Sequence, residues 1–210
     1  QNPSFSPDGQ WMAWESMEHD GYESDKSRLF IMNTKTGEKK DLSTSFDQNS
    51  NNLAWTADSK SIYFVSCWHA TTQVYRVDLA DGKITPITQG VHDYESVIPL
   101  KDKLIGVKHS MSKPNEIYTI NPSSGEEKEL SFENKDILDK LEMGKVEERW
   151  ITTTDNKKMQ TWIIYPPHFD PNKKYPTLLY CEGGPQSTVS QFWSFRWNFQ
   201  MMAANDYIIV

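Results

Sequence analysis

The sequence predicts a mixed fold, in which antiparallel β-sheets of the propeller type are followed by the beginning of an α/β domain with a parallel sheet. Two observations predict it. A unit of strands and turns returns through the first part of the chain with a period of about 40–50 residues, which is typical of four-stranded propeller blades. The last part then alternates an apolar strand, a glycine turn, a helical pattern and a second apolar strand, and this βαβ order requires parallel strands.

The propeller repeat opens with a turn, where Pro7 fixes one backbone angle and Gly9 accepts a positive one. A single blade cannot bury both faces of its sheet, so each blade needs neighbours. We therefore expect residues 1–133 to form a partial β-propeller of about three blades. The strand pairs that indicate the three copies lie at residues 11–16 and 28–33, at 61–66 and 73–78, and more weakly at 104–107 and 116–120.

Residues 134–210 are expected to hold a linker helix and the incomplete beginning of the second domain. Apolar residues spaced for one face of a helix predict the short linker helix within residues 134–143. The runs 148–153 and 159–165 flank a polar turn and predict a β-hairpin.

The final stretch, from residue 174 onward, predicts the βαβ unit. Residues 175–181 and 207–210 are apolar and β-branched, and both runs are predicted to be buried strands. Between them, Gly183 and Gly184 allow a sharp turn, because glycine adopts backbone angles closed to other residues. An aromatic-rich crossover helix is predicted from residues that recur at helical spacing: Phe192, Phe195, Phe199 and Met202.

Composition narrows the classes of function. The net charge of −7 argues against a nucleic-acid partner or an anionic-membrane surface. No run approaches the roughly 18 apolar residues that a membrane span needs. Cys67 and Cys181 fall in different predicted domains, so no disulfide is expected and both are predicted to be small buried side chains.

Several motifs together carry a family resemblance. The blade turn Ser-Pro-Asp-Gly, Tyr-Pro-Pro at 165–167, Lys-Tyr-Pro at 174–176 and Gly-Gly-Pro-Gln-Ser at 183–187 occur in this order. In this order they resemble the prolyl oligopeptidase family of serine peptidases, particularly its bacterial dipeptidyl-peptidase and acylaminoacyl-peptidase branches.

The resemblance implies a propeller that caps an α/β-hydrolase domain. It also implies a peptide substrate, release of dipeptides from the N-terminus through an acyl-enzyme, and a Ser-Asp-His triad with no metal or other cofactor. A periplasmic or secreted location is favoured by the resemblance alone. The oligomeric state, including a homo-oligomer, is left open.

The triad itself is not expected within these 210 residues. The nucleophile of this fold sits in Gly-x-Ser-x-Gly, and no such motif occurs among the ten glycines. Because the triad order is Ser, Asp, His, all three residues would follow Val210, and the five histidines of the chain are predicted to hold surface or blade positions. The 210-residue chain is therefore expected to be inactive.

The oxyanion side of the site is predicted at the glycine turn. Preorganised donors stabilise the oxyanion of acyl transfer at roughly 3 kcal/mol each, and the loop after an early hydrolase strand normally provides one. Glu182 cannot donate when ionised. We expect the Gly184 N–H to be the donor, with Gly183 allowing the bend and Glu182 turned aside. The alternative is that the glycines only make a strand-to-loop turn.

The residues that could bind the substrate are indicated less strongly than the oxyanion turn. The resemblance implies blade carboxylates that pair with the substrate's α-ammonium, and Glu18 or Glu23 in the acidic loop between two blade strands could do this. The alternative is a solvated acidic loop, because charge runs usually face water. Trp193, or its neighbour Phe192, could line a substrate pocket, whereas the helical spacing favours core packing.

A different class of function also stays open: a propeller-type binding or scaffold protein without chemistry, or a catalytically dead homologue. A scaffold would not need the hairpin, the glycine turn and the parallel unit. The residues that follow Val210 would discriminate between these classes.

Overall fold

The computed structural model describes residues 1–183 and 187–210, and its first half consists of three antiparallel sheets in sequence order. Each sheet is a four-stranded meander, so the blades predicted from the repeat are confirmed. The first sheet contains β1 (Ser4–Phe5), β2 (Trp11–Ser16), β3 (Arg28–Asn33) and β4 (Lys39–Asp41). The second contains β5 (Asn51–Trp55), β6 (Ser61–Trp68), β7 (Thr71–Asp78) and β8 (Ile84–Pro86). The third contains β9 (Asp93–Leu100), β10 (Lys103–Ser110), β11 (Lys113–Ile120) and β12 (Glu127–Glu129).

The turn between β1 and β2 is built from its own side chains. Asp8 accepts hydrogen bonds from the Ser6 hydroxyl at 2.6 Å and from the Gln10 N–H at 3.0 Å. The turn between β5 and β6 is built in the same way, with Asp58 accepting from the Thr56 hydroxyl at 2.6 Å. Repetition of this turn explains why the sequence repeat is visible, because Asp and Ser or Thr side chains satisfy the local backbone.

The three sheets pack face to face around two layers of core side chains. One layer joins the first and second sheets through residues such as Leu29 and Phe64, and the other joins the second and third through Val74 and Leu104. The middle sheet is therefore buried on both faces, and six consecutive residues of β6 are buried. This arrangement is that of neighbouring propeller blades, each of which buries its faces against the next.

A short helix leads from the third sheet to a fourth sheet. The helix α1 (Lys135–Leu138) confirms a linker helix, although it is shorter than the predicted 134–143. The predicted hairpin is confirmed as β13 (Val146–Thr152) and β14 (Lys158–Ile164). The fourth sheet is completed by β15 (Thr177–Leu178) and, after α2 (Phe199–Ala203), by β16 (Ile208–Ile209).

The fourth sheet is mixed, with strand order β13-β14-β16-β15. Strands β15 and β16 pair in parallel, with Thr177 opposite Ile208, so the predicted parallel pair is confirmed. The prediction of a buried strand at 175–181 is wrong. Only Thr177–Leu178 forms a strand, it lies at the edge of the sheet, and Leu179 is exposed. In contrast, Ile209 is buried, as predicted for the last strand.

The predicted crossover helix is also wrong over most of its length. Helix α2 starts only at Phe199, because the side chain of Asn198 caps it by accepting the Met201 N–H at 2.9 Å. Upstream, the Ser194 hydroxyl accepts the backbone N–H of Arg196 and of Trp197, which closes a local turn instead of a helical one.

Parts of the blades enter the core of the fourth sheet. Met111, from the turn between β10 and β11, is buried there beside Trp162 and Phe199, and Ala70, from the turn between β6 and β7, packs against the same cluster. Two blades thus meet the C-terminal part of the chain through apolar contacts. None of the helices formed by the described residues is long and apolar enough to cross a membrane.

Candidate functional site

A polar cleft of about 770 Å³ opens where the first two blades meet the C-terminal part of the chain. Its walls include Ser187 and Thr188, which follow the glycine turn, and Gln160 of β14. The blade residues that line it are Glu23, Ser24, Asp25, Lys26, Asp47, Gln48, Asn49, Cys67, Trp68, His69, Ala70 and Thr72.

The blade wall of the polar cleft carries three carboxylates. Asp25 is tied to its own loop, since it accepts the His19 N–H at 2.5 Å, and this hydrogen bond is the main cause that lowers the pKa of Asp25. Lys26 donates to the carbonyls of Ser43 and Phe46, at 3.0 and 2.8 Å, so its ammonium group is bound by backbone oxygen atoms.

Glu23 and Asp47, the other two carboxylates, are exposed. Among residues 1–183 and 187–210, no ion pair engages either one. The polar cleft therefore has a negative wall that can bind a cation.

An apolar cleft of about 440 Å³ adjoins the polar one. It is lined by Met159 and Trp162 of β14, by Phe199 of α2 and by Tyr180 and Cys181 after β15. Gln160, Ser187 and Thr188 line both clefts, so the segment after the glycine turn separates a charged space from an apolar one. Such a pair of spaces can hold a charged group and an apolar side chain of the same ligand.

The predicted oxyanion turn is only partly described. Gly184 lies outside the described residues, so the predicted N–H donor is not placed. Glu182 and Gly183 are exposed, and a Cβ atom on Gly183 would meet nothing within 4 Å. Glu182 lines the apolar cleft. The prediction that Cys181 is buried is wrong: it is exposed, and it follows β15, which lies at the edge of the fourth sheet formed by the described residues.

Asp93 joins the blades to the segment that follows the glycine turn. Its carboxylate is buried and accepts the Thr72 N–H at 2.7 Å on one oxygen. The other oxygen accepts the Ser190 hydroxyl and the Gln191 N–H, the latter at 3.0 Å. Two separate segments thus donate to one buried carboxylate, which needs such partners because an unpaired buried charge is strongly unfavourable.

His109 of β10 faces the same carboxylate. Its Nε2 atom lies 3.6 Å from Asp93, while its Nδ1 atom lies 2.8 Å from the Asn115 amide oxygen and 3.5 Å from Glu95. Burial works to lower the pKa of His109, but the hydrogen bonds and charges of Asp93, Asn115 and Glu95 outweigh it and raise the pKa. Because both ring nitrogens face oxygen atoms, only the imidazolium can donate on both sides.

Two buried glutamines fix the rest of this segment. Gln191 accepts the Met111 N–H at 3.4 Å. Gln200 of α2 accepts the Gly144 N–H at 2.7 Å and donates to the Ser112 hydroxyl at 2.8 Å. The turn of the third blade therefore holds Gln191 through Met111 and the start of α2 through Ser112.

The remaining residues predicted to bind the substrate do not lie together. Glu18 is exposed and is not among the lining residues of either cleft, whereas Glu23 lines the polar cleft. Trp193 is half-buried, makes an edge contact with Phe195 at 6.0 Å between ring centroids, and is likewise absent from the described lining of both clefts. The prediction that Phe195 packs in a core is wrong, since it is 82% exposed.

Solved structures identify the fold. The chain superposes on the acylaminoacyl peptidase of Pyrococcus horikoshii with a TM-score of 0.79 and 22% identity, over 96% of this chain and 30% of that one. It also matches the β-propeller domain of the Trilobed protease from Pyrococcus furiosus with a TM-score of 0.50 and 24% identity, over 64% of this chain and 38% of that one. The fold is thus that of a propeller-containing peptidase.

Sequence relatives narrow the class further. The chain is 49% identical to dipeptidyl-peptidase 5 of Porphyromonas gingivalis over 99% of its length, and 46% identical to dipeptidyl-peptidase 5 of Porphyromonas endodontalis over 100%. It spans 30% of the length of each relative. No family model matches the chain. The resemblance to peptidases of the prolyl oligopeptidase family is confirmed, and the chain is a homologue of part of dipeptidyl-peptidase 5.

Proposed function

We propose that this chain is part of a serine exopeptidase that releases dipeptides from the N-terminus of short peptides through an acyl-enzyme. The observation that carries the proposal is the 49% identity to dipeptidyl-peptidase 5 along 99% of the chain. Residues 1–133 would be part of the propeller, and residues 134–210 would hold the linker helix and the start of an α/β-hydrolase domain. The mixed sheet with its parallel pair β15–β16 supports this division.

In this proposal each of the two clefts binds a different part of the substrate. The α-ammonium of the peptide would bind the negative wall of the polar cleft through Glu23, assisted by Asp47. The Gly184 N–H would donate to the oxyanion, because a turn at this place in the chain normally supplies such a donor in hydrolases of this fold. An apolar side chain of the substrate would occupy the apolar cleft.

The nucleophilic serine and its Asp and His partners would come from residues outside this sequence, which contains no Gly-x-Ser-x-Gly. The 210-residue chain alone is therefore expected to be inactive. In the complete protein, the blades described here would position the substrate, and the triad would form and hydrolyse the acyl-enzyme.

The test uses the full-length protein that contains this segment. We expect covalent labelling by a fluorophosphonate and release of dipeptides from fluorogenic substrates with a free N-terminus. Acetylation of the substrate N-terminus should abolish turnover, because the ammonium is lost. Absence of labelling would contradict the proposal and favour a scaffold protein or a catalytically dead homologue. A preference for acetylated substrates would instead indicate an acylaminoacyl peptidase.

A further inference from the structure

The buried carboxylate of Asp93 occupies an unusual place in this fold. It lies at the start of β9 in the third blade, yet it binds the second blade through the Thr72 N–H and the C-terminal part of the chain through Ser190 and Gln191. Its partners Thr72 and Gln191 are 21 and 98 residues away in sequence. A contact of this kind fixes the position of one module against another.

The segment that Asp93 fixes is the one that leaves the glycine turn. Ser187 and Thr188 line both clefts, and Ser190 and Gln191 follow within three residues. On the other side of the turn, the Tyr180 N–H donates to the Val210 carbonyl at 2.7 Å and joins that end to the fourth sheet. Described residues on either side of the glycine pair, Tyr180 and Ser190 with Gln191, are therefore anchored, and Asp93 is the anchor provided by the blades.

The chemistry of the site requires a carboxylate and not merely a polar group. Both oxygens of Asp93 accept a backbone N–H, one from Thr72 and one from Gln191. An asparagine has one acceptor oxygen, so in either orientation its NH₂ group would face one of these N–H donors. The facing imidazole of His109, at 3.6 Å, supplies the positive charge that a buried carboxylate needs.

We propose that Asp93 is a positioning residue for the peptidase reaction, which holds the segment 187–191 that follows the proposed oxyanion donor Gly184. This rests on the proposed function of the site. Since a turn that donates to an oxyanion acts in the transition state, its displacement lowers kcat with little effect on KM. A displacement of about 1 Å at a catalytic group can reduce the rate by about a hundredfold.

The experiment compares Asp93→Asn with the wild type in the full-length protein. The concentration of active sites is first determined by exhaustive labelling with a fluorophosphonate. We expect kcat per active site to fall by about tenfold to a hundredfold, with KM changed less than about twofold. Amide exchange of residues 187–191 should accelerate in the variant, and this readout does not depend on activity. Ser190→Ala, which removes one of the bonds, should produce a smaller change in the same direction and serves if Asp93→Asn fails to fold.

The matched control is Asp102→Asn, since Asp102 is an exposed aspartate in the turn between β9 and β10 of the same blade. It should leave kcat, KM and exchange unchanged. The proposal is overturned if Asp93→Asn keeps the wild-type kcat per labelled site, or if it raises KM alone. Unchanged exchange at 187–191 would overturn the anchoring itself. If the wild-type protein neither labels nor turns over, the proposed function fails, and accelerated exchange in the variant would still support the anchor.

Discussion

At the scale of single residues, Glu23 is the blade carboxylate best placed to bind a substrate ammonium, because it lines the polar cleft and no described ion pair neutralises it. Glu23→Gln removes the charge and keeps the size of the side chain. We expect KM for substrates with a free N-terminus to rise about fivefold, with kcat nearly unchanged. This corresponds to about 1 kcal/mol, the upper end for a solvent-exposed ion pair. Steady-state kinetics of the full-length protein would measure it.

The control for Glu23→Gln is Glu38→Gln, a charge removal at an exposed glutamate near β4 that faces neither cleft. Its KM should equal that of the wild type. A rise in KM for Glu18→Gln without one for Glu23→Gln would transfer the ammonium-binding role to Glu18, against the geometry described above.

The two acidic residues Glu15 and Asp93 show how far sequence reasoning reaches at this scale. Glu15 lies in β2, just before the acidic loop, but it is buried and accepts the Asn52 N–H at 2.9 Å and the Asn2 amide N–H at 3.0 Å, so it is structural. The sequence does not indicate a role for Asp93, because its immediate neighbours form no recognisable motif with it. Both are defined by partners distant in the chain, which local pattern cannot reveal.

At the scale of elements, the turn between β10 and β11 is the part of the third blade that supports the fourth sheet. Met111 at this turn is 2% exposed and packs beside Trp162, Ile164 and Phe199. Met111→Ala should lower the free energy of unfolding by about 2–5 kcal/mol, because the cavity cannot be refilled by the short turn. Denaturant unfolding of the full-length protein would measure the loss, and amide exchange should accelerate in α2 and β16.

Val91→Ala provides the comparison for that substitution, since Val91 is an apolar residue exposed in a loop before β9. It should change stability by less than about 0.5 kcal/mol. Equal effects of the two substitutions would contradict the role given to the β10–β11 turn.

Strands were more predictable than the helix, for physical reasons. The blade strands are rich in β-branched and aromatic residues, and the turns after β1 and β5 carry Asp with Ser or Thr, so the repeat marks them. Strand β9 was missed because it contains Pro99 and few consecutive apolar residues. The aromatic residues before α2 have helical spacing, but Ser194 and Asn198 bind backbone N–H groups and delay the helix to Phe199. The spacing of apolar residues alone does not reveal that side-chain hydrogen bonds compete with helix formation.

At the scale of the whole molecule, the blades and the C-terminal part are joined by one apolar cluster and by buried polar contacts. The cluster contains Met111 and Ala70 from the blades, and the polar contacts include Asp93, Gln191 and Gln200. The sequence did not indicate these contacts, because buried polar side chains have no periodic signature. Of these contacts, the one made by Asp93 includes a titratable partner, His109, whose pKa is raised in the folded protein.

The charge of His109 should make the attachment of the modules depend on pH. The groups facing its ring are Asp93 and Glu95 of β9 and Asn115 of β11, and they raise its pKa despite the opposing effect of burial. The pKa of the nearby His92 shifts in the opposite direction, since burial and then the charge of Lys108 lower it. A pKa that is higher in the folded state than the unfolded value of about 6.5 stabilises the fold fully below that value. The stabilisation is lost as pH rises through the raised folded pKa.

His109→Gln therefore tests this attachment through the pH dependence of stability. The variant should have a lower Tm than the wild type at pH 6, and the difference should shrink as pH rises through the raised folded pKa of His109. Calorimetry of the full-length protein at constant ionic strength would measure both. His168→Gln, at an exposed histidine paired with Glu142, should show little difference at either pH, because exposed ion pairs contribute little. A Tm difference for His109→Gln that grows with pH would mean that the neutral ring, and not the imidazolium, holds Asp93 in place.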